Sequence, residues 1–290
     1  MCAESEPELT LDASDHELAR DLARTAGRRL LELRADPSRS GDDLRKAGDL
    51  LAHEFLASEL ARLRPVDAIL SEEGKDNADR LSADRVWIVD PLDGTREFGE
   101  PGRTDWAVHV ALWERGELSA GAVALPAQGL ALSTADYATR GAGSAPFPAP
   151  MPDGQVALPP GLRILVSRSR PPAFVQHLAA DVGAELVPMG SAGAKAAAVI
   201  QGQYDAYIHG GGQYEWDSAA PVAVARAAGL HASRIDGSAL IYNQADVSIP
   251  DILISPAWLA AGLLSAIARA SAPGQPPHRP PTSSDPELQP

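Results

Sequence analysis

The fold and the chemistry of this chain are both decided by one segment, Val86-Trp87-Ile88-Val89-Asp90-Pro91-Leu92-Asp93-Gly94-Thr95-Arg96-Glu97-Phe98. Its first four residues are apolar and of strand type, and the predicted strand ends at Asp90. Pro91 fixes the backbone and Gly94 permits a tight turn, so the carboxylates of Asp90 and Asp93 can converge on one point. Such hard oxygen ligands suit Mg²⁺. Residues 94–98 are then expected to open a helix, whose first amides would bind phosphate beside the metal.

Two further acidic segments favour a metal site, although an Asp-Pro-x-Asp-Gly sequence taken alone is a common turn. Ser71-Glu72-Glu73-Gly74 follows the apolar run 68–70 and places acidic side chains at another strand end. Trp216-Asp217-Ser218-Ala219-Ala220 places Asp217 at the start of a small-residue helix, where it could also act simply as an N-cap.

Composition excludes several classes of protein. The chain has 290 residues and a formal net charge of −14, which argues against a broad face for nucleic acid or anionic lipid. The single cysteine, Cys2, excludes a disulfide framework and a thiolate zinc site. The first 11 residues lack an apolar signal region, and no uncharged apolar run approaches the roughly 20 residues of a membrane span. A cytoplasmic enzyme is therefore expected.

Proline- and glycine-rich stretches divide the chain. The predicted units are a flexible N-terminus (1–13), an N-terminal α+β domain (14–140), a Pro/Gly/Ala-rich connector (141–161), a C-terminal α/β domain (162–270) and a disordered Pro-rich tail (271–290).

Within these units the apolar spacing predicts the main elements. Ser14 and Glu17 form a capping box before a first helix, and a second helix continues until Pro65. Strands are then expected at 67–71, 86–89, 106–113 and 119–125. The second half is expected to hold strands at 162–166 and 204–208 and helices at 192–201 and 218–228. This alternation predicts α/β layers.

At its three acidic segments the sequence resembles the inositol monophosphatase superfamily of Mg²⁺-dependent, lithium-sensitive phosphatases. The two signatures of that superfamily, an Asp-Pro-x-Asp-Gly-Thr loop and a later Trp-Asp-x-Ala-Ala helix start, are both intact and in the right order. The resemblance implies a layered αβαβα sugar-phosphatase-like fold of the α+β class, with the active site between its two halves. Within the superfamily the chain is most similar to bisphosphate nucleotidases of CysQ type, on the segments 94–98, 166–170, 190–195 and 215–217.

The resemblance also implies a set of site residues. The metal ligands would be Glu72, Asp90, Asp93, Asp217 and the main-chain carbonyl of Leu92, with Asp90 bridging two of two or three Mg²⁺ ions and Li⁺ acting as an inhibitor. Thr95, assisted by Asp49 and with Glu72 nearby, would orient and deprotonate the water that attacks phosphorus. The family usually shows Thr-x-Ala-Asp where this chain has Lys46-Ala47-Gly48-Asp49, so Asp49 is the less direct assignment.

The candidate substrate-binding residues come from several separate segments of the sequence. Inositol monophosphatases carry a glutamate shortly before Trp-Asp, a position that here falls on His209 or Gly210. The glycines at 210–212 either form a flexible loop or let the backbone approach a flat ligand such as adenine. Arg168, Arg170 and Lys195, at predicted loop ends, are candidates for a second anion site. The full set of candidate phosphate- and substrate-binding residues is Gly94, Thr95, Arg96, Ser167, Arg168, Ser191, Lys195, His209 and Glu215.

The activity expected from the resemblance is hydrolysis of the 3'-phosphate of adenosine 3',5'-bisphosphate, with the phosphosulfate analogue as a further substrate, in sulfate assimilation. Two alternatives remain open at this point. The same chemistry could act on inositol phosphates or fructose 1,6-bisphosphate, or the chain could be a non-catalytic nucleotide or metal sensor. The expected partner is a small phosphorylated substrate, with no nucleic acid and no membrane, and a homodimer is compatible with the resemblance. The remaining histidines, His109 among them, show no ligand spacing and are interpreted as surface or packing residues.

Overall fold

The structure is a computed structural model that describes residues 9–137 and 158–271. These residues form five layers in the order helices, sheet, helices, sheet, helices. The predicted αβαβα fold is therefore confirmed. Cys2 and most of the predicted connector and tail lie outside the described residues, and the predicted domain boundaries stay a prediction.

The first layer consists of helices α1 (Asp15–Arg34) and α2 (Gly41–Leu63). Ser14 and Glu17 form the predicted capping box at the start of α1. Helix α2 ends two residues before Pro65, as the sequence predicts. Both helices bury apolar side chains against one face of the first sheet, which fixes the position of Asp49 on α2.

The first sheet contains five strands in sequence order, and only its first pair is parallel. The register of the central pair shifts between Asp90 and Asp93, and this irregularity accommodates Pro91 within the strand. Helix α3 (Thr95–Gly99) follows directly and is a single turn. The strands are β1 (Ala68–Ser71), β2 (Arg85–Asp93), β3 (Ala107–Glu114), β4 (Glu117–Leu125) and β5 (Leu130–Ser133).

The rest of the fold comes from the second half of the chain. Its strands are β6 (Arg163–Ser167), β7 (Glu185–Met189), β8 (Ala206–His209), β9 (Gln213–Tyr214), β10 (Leu230–Ser233), β11 (Ser248–Ile249) and β12 (Ile252–Pro256). The second sheet has the order β10-β12-β8-β6-β7, and strands β9 and β11 form a separate pair. The helices are α4 (Phe174–Val182), α5 (Ala192–Ile200), α6 (Glu215–Ala227) and α7 (Ala257–Ala270).

Helices α5 and α6 form the middle layer, and their alanines and valines pack against both sheets. Helix α6 begins at Glu215, three residues before the predicted start, because the Asp217 side chain accepts a hydrogen bond from the Tyr214 amide (2.7 Å). Helices α4 and α7 cover the outer face of the second sheet. Among the described helices, none is both long and apolar enough to cross a membrane.

Candidate active site

Three carboxylates meet where strand β2 ends against helix α6. One oxygen from each of Asp90, Asp93 and Asp217 lies within 4.8 Å of the others. Asp90 and Asp93 are buried, and the amide of Leu92 donates to Oδ1 of Asp90 over 3.0 Å. The register shift in β2 brings the two strand carboxylates together, as the sequence predicts.

Glu72 extends this acidic cluster from the end of β1, where its amide donates to the carbonyl of Val89 (3.4 Å). Burial and the charge of Asp217 raise the pKa of Glu72 to about 7. Burial and the charge of Asp93 raise the pKa of Asp217 to about 6. Carboxylates held this close are stabilised either by protonation, as these raised pKa values indicate, or by a bound cation. The set contains only the hard oxygen ligands that divalent ions such as Mg²⁺ prefer. The residues present therefore fit a metal centre.

Asp93 differs from its neighbours because donors from the second half of the chain surround one of its oxygens. Oδ2 accepts from the Ser191 hydroxyl (2.5 Å) and the Gly193 amide (2.7 Å), and Nε2 of His109 lies 3.2 Å away. Burial alone would raise the pKa of Asp93, but His109 and these donors hold it well below its usual range. All three of these contacts are made by Oδ2 of Asp93 and none by its Oδ1.

His109 is a site residue that the sequence interpretation missed. Its ring is fully buried, and Nδ1 lies 3.1 Å from the carbonyl of Trp216. A side chain on Gly193 would collide with it, because a Cβ there would lie 2.2 Å from Nε2 of His109. The available signal was a lone imidazole on the face of β3 that otherwise carries Ala107 and Ala111.

Thr95 and Asp49 are brought together as expected. The Thr95 hydroxyl lies 3.0 Å from the carbonyl of Leu92 and 3.3 Å from Oδ1 of Asp49. The glycine in this departure from the family pattern has a packing reason, because a Cβ on Gly48 would lie 2.8 Å from the ring of Phe98. Glycine lets helix α2 approach α3 closely at this point.

Beside the carboxylates lies a polar cavity of about 280 Å³. Most of the predicted substrate-binding residues line it, and Glu215 does not. The lining residues are Asp93, Gly94, Thr95, Arg96, Glu97, Ser167, Arg168, Ser169, Arg170, Met189, Gly190, Ser191, Ala192, Lys195, His209, Gly212, Gln213 and Asp217.

Comparison with known proteins places this arrangement in a family. The sequence profile of the inositol monophosphatase family matches residues 12–271. The chain belongs to this family. A 3'-phosphoadenosine 5'-phosphate phosphatase from Mycobacterium bovis is 50% identical over 279 residues, which cover 93% of this chain and 99% of the relative.

Two further proteins are similar to this chain at lower sequence identity. The 3'(2'),5'-bisphosphate nucleotidase CysQ from Escherichia coli is 30% identical over 231 residues, covering 77% of this chain and 91% of the relative. The crystal structure of CysQ from Bacteroides thetaiotaomicron, a bacterial family member, has a TM-score of 0.63 and 26% identity, covering 82% of this chain and 96% of that one.

Glu215, a predicted substrate-binding residue, lies outside the cavity lining. It is fully buried, and its two oxygens accept from the amides of Asn243 and Gln244 at 2.7 Å each. These bonds occupy the carboxylate away from the cavity. Glu215 thus ties helix α6 to residues 243–244 and does not line the cavity, and its binding of substrate stays a prediction.

Two predicted anion-binding cations line the cavity but are already engaged. The buried ammonium of Lys195 donates to the carbonyls of Met189, Gly190 and Ser191 at 3.3, 3.1 and 2.6 Å. Arg168 bonds to Glu97 (2.6 Å) and Glu100 (3.1 Å). The three N–H donors of Lys195 are matched by three carbonyls, and the Arg168 guanidinium is held by two carboxylates, so neither is an uncommitted cation in this structure. That they bind an anion stays a prediction.

Arg96 and Arg170 remain the exposed cations of the cavity, and neither forms an ion pair among the residues that the structure describes. Nη1 of Arg170 lies beside Gly212, where a Cβ would be 3.0 Å away. His209 is different in character. Burial and the charge of Lys195 lower the pKa of His209 to about 4, so its ring is neutral at pH 7 and donates from Nε2 to the carbonyl of Gly211 (2.7 Å).

Proposed function

We propose that this protein is a phosphatase that hydrolyses the 3'-phosphate of adenosine 3',5'-bisphosphate, giving AMP and phosphate, within sulfate assimilation. The observation that carries the proposal is the meeting of Asp90, Asp93 and Asp217 beside the Thr95–Asp49 pair, at one end of a polar cavity. The 50% identity to the Mycobacterium bovis phosphatase supports the nucleotide as substrate.

The metal is proposed to be Mg²⁺, held by Glu72, Asp90, Asp93, Asp217 and the carbonyl of Leu92. When bound, it supplies positive charge that neutralises the carboxylates and polarises the phosphoryl oxygens. Li⁺ at millimolar order is expected to compete for the same oxygens. The short helix α3 contributes its first amides, which have no partner within the helix, to the phosphate side of the site.

Thr95 and Asp49 are proposed to act on the attacking water. Burial and the charge of Glu73 raise the pKa of Asp49 to about 6, so the carboxylate is ionised at neutral pH. It can accept the hydroxyl proton of Thr95, whose oxygen then accepts a proton from the water. Because a sensor would not need this pair, its geometry favours an enzyme over a non-catalytic binding protein.

A substrate panel tests the proposal. Phosphate release from adenosine 3',5'-bisphosphate, its phosphosulfate analogue, inositol 1-phosphate and fructose 1,6-bisphosphate is measured with Mg²⁺ and with EDTA. The bisphosphate should have the highest kcat/KM and should require Mg²⁺. A higher kcat/KM for inositol 1-phosphate would refute the assignment of the nucleotide, and turnover in EDTA would refute the metal.

A further inference from the structure

Arg80 is a buried arginine that the proposed reaction does not use. Its side chain is among the most completely buried of those in residues 9–137 and 158–271. Nη1 donates to Oδ1 of Asn243 (2.7 Å), Nη2 donates to the carbonyl of Gln244 (2.8 Å), and Nε donates to Asp76 (2.7 Å). The guanidinium therefore joins the first half of the chain to a loop of the second half.

The same loop is tied to the start of helix α6. The amides of Asn243 and Gln244 both donate to Glu215, which lies two residues before Asp217. Asn243 also returns a hydrogen bond from its side-chain amide to the carbonyl of Arg80 (3.1 Å). We call Asp76, Arg80, Asn243, Gln244 and Glu215 the Arg80 clasp.

The clasp also anchors the C-terminal end of the segment that carries Glu72. This segment leaves β1 at Ser71, whose hydroxyl lies 3.0 Å from Nδ1 of His53. It ends at the 3-10 helix Ala78–Ser82, which contains Arg80. Residues 72–77 are thus anchored to helix α2 at one end and to the second half of the chain at the other.

We propose that the Arg80 clasp is a positioning device that holds Glu72 opposite Asp217. Glu72 follows β1 in the first half of the chain and Asp217 lies in the first turn of α6 in the second half, so repulsion between the two carboxylates would move the segment carrying Glu72 away from α6 unless contacts between the halves opposed it. The clasp opposes that movement and preorganises the ligand set for a cation. This inference rests on the metal centre of the proposed function.

Two clasp variants and one control test the inference. Asn243→Gly removes the amide that bonds to Arg80 and suits the positive φ of 59° at this position. Arg80→Lys keeps the charge and loses the fork of N–H donors. The control is Arg85→Lys, because Arg85 pairs with Asp15 (2.8 Å) and Asp67 (3.0 Å) within the first half alone.

Each protein is titrated with Mg²⁺, and both turnover and the Mg²⁺-dependent rise in Tm are measured. We expect the clasp variants to raise the Mg²⁺ midpoint about tenfold or more in both measurements, as for residues that orient metal ligands. Their kcat at saturating Mg²⁺ should stay within about twofold of the parent, because the excess of metal restores the ligand set. Arg85→Lys should leave the midpoint unchanged.

Unchanged Mg²⁺ midpoints in folded Asn243→Gly would overturn the clasp proposal, even if Arg80→Lys fails to fold. An equal rise in Arg85→Lys would also overturn it, since the effect would then follow general stability. Failure of the proposed function looks different. In that case the parent protein itself would show neither Mg²⁺-dependent turnover nor a rise in Tm, and no metal centre would exist for the clasp to organise.

Discussion

The hydroxyl of Ser191 donates to Oδ2 of Asp93 over 2.5 Å and, through the same oxygen, accepts from the amide of Ala194 over 2.9 Å. Ser191 is the N-cap of helix α5 and has a positive φ of 49°, a conformation that non-glycine residues seldom adopt. One side chain thus both begins a helix of the second half and fixes a carboxylate of the first. Such strain is retained where the surrounding contacts enforce it, as they do here.

Replacing Ser191 by alanine should affect both roles. Loss of the cap should lower the free energy of unfolding by about 1 kcal/mol. Loss of the bond to Asp93 should raise the Mg²⁺ midpoint of turnover about tenfold. Ser40→Ala is the matched control, because Ser40 caps α2 without a side-chain hydrogen bond. Denaturant unfolding and Mg²⁺ titration check the two effects, and equal behaviour of the two variants would contradict this account.

Asp93→Asn tests the metal centre directly. A neutral amide cannot supply the charge that holds the ion, so turnover should fall below detection at ordinary Mg²⁺. The fold should persist, since an amide oxygen still accepts from Ser191 and Gly193. Activity assays and circular dichroism check these points. Full activity in the variant would remove Asp93 from the proposed ligand set.

The strand and the acidic turn that follows it can be predicted from the sequence, because the residues that indicate them lie close together in the chain. The apolar run, Pro91 and Gly94 lie within a few residues of one another, and together they predict the turn that brings Asp90 and Asp93 together. The roles of Lys195 and Glu215 could not be read in this way. Their hydrogen-bond partners are main-chain carbonyls and amides, which do not depend on residue type, so the sequence does not indicate them. His109 was missed for a related reason, since its contact with Asp93 spans two strands.

The pKa of Asp49 predicts a pH dependence. Activity should rise as the pH passes about 6, because only the ionised carboxylate accepts the proton of Thr95. The effect on stability has the opposite sign. The pKa of Asp49 in the folded protein lies above its unfolded value of 3.8, so the folded protein loses stability as the pH rises from about 4 to 6. Asp49→Asn should therefore lower kcat and raise the Tm of the metal-free protein at pH 7.

The test of Asp49 is a pair of profiles. The acid limb of kcat near pH 6 should disappear in Asp49→Asn, and the difference in Tm between variant and parent should shrink at pH 4, where the parent carboxyl is largely protonated in the fold. Asp21→Asn serves as control, because Asp21 lies on α1 away from the cluster. A parent acid limb that survives in Asp49→Asn would assign it to another group.

Lys195 should act through the loop that it holds. Lys195→Met removes three hydrogen bonds to the carbonyls of residues 189–191, and this loop lines the cavity whichever substrate is bound. We therefore expect kcat/KM to fall by a similar factor for adenosine 3',5'-bisphosphate and inositol 1-phosphate. Steady-state kinetics with both substrates decides the point. A loss confined to the bisphosphate would show that the ammonium contacts the second phosphate after all.

Arg170 is the better candidate for that second phosphate. Its guanidinium lies at the cavity beside Gly212 and forms no ion pair among the described residues, whereas Arg168 is bonded to Glu97 and Glu100. A contact with the 5'-phosphate is remote from the bond that breaks, and its binding energy helps to position the 3'-ester. Arg170→Ala should therefore lower kcat/KM for adenosine 3',5'-bisphosphate about tenfold or more, which corresponds to about 1.4 kcal/mol.

Inositol 1-phosphate lacks the second phosphate, so its kcat/KM should be affected much less. Arg269→Ala, on outer helix α7, controls for the loss of one positive charge. If Arg170→Ala slows both substrates equally, the guanidinium acts through the general field of the cleft, and the 5'-phosphate must be held elsewhere.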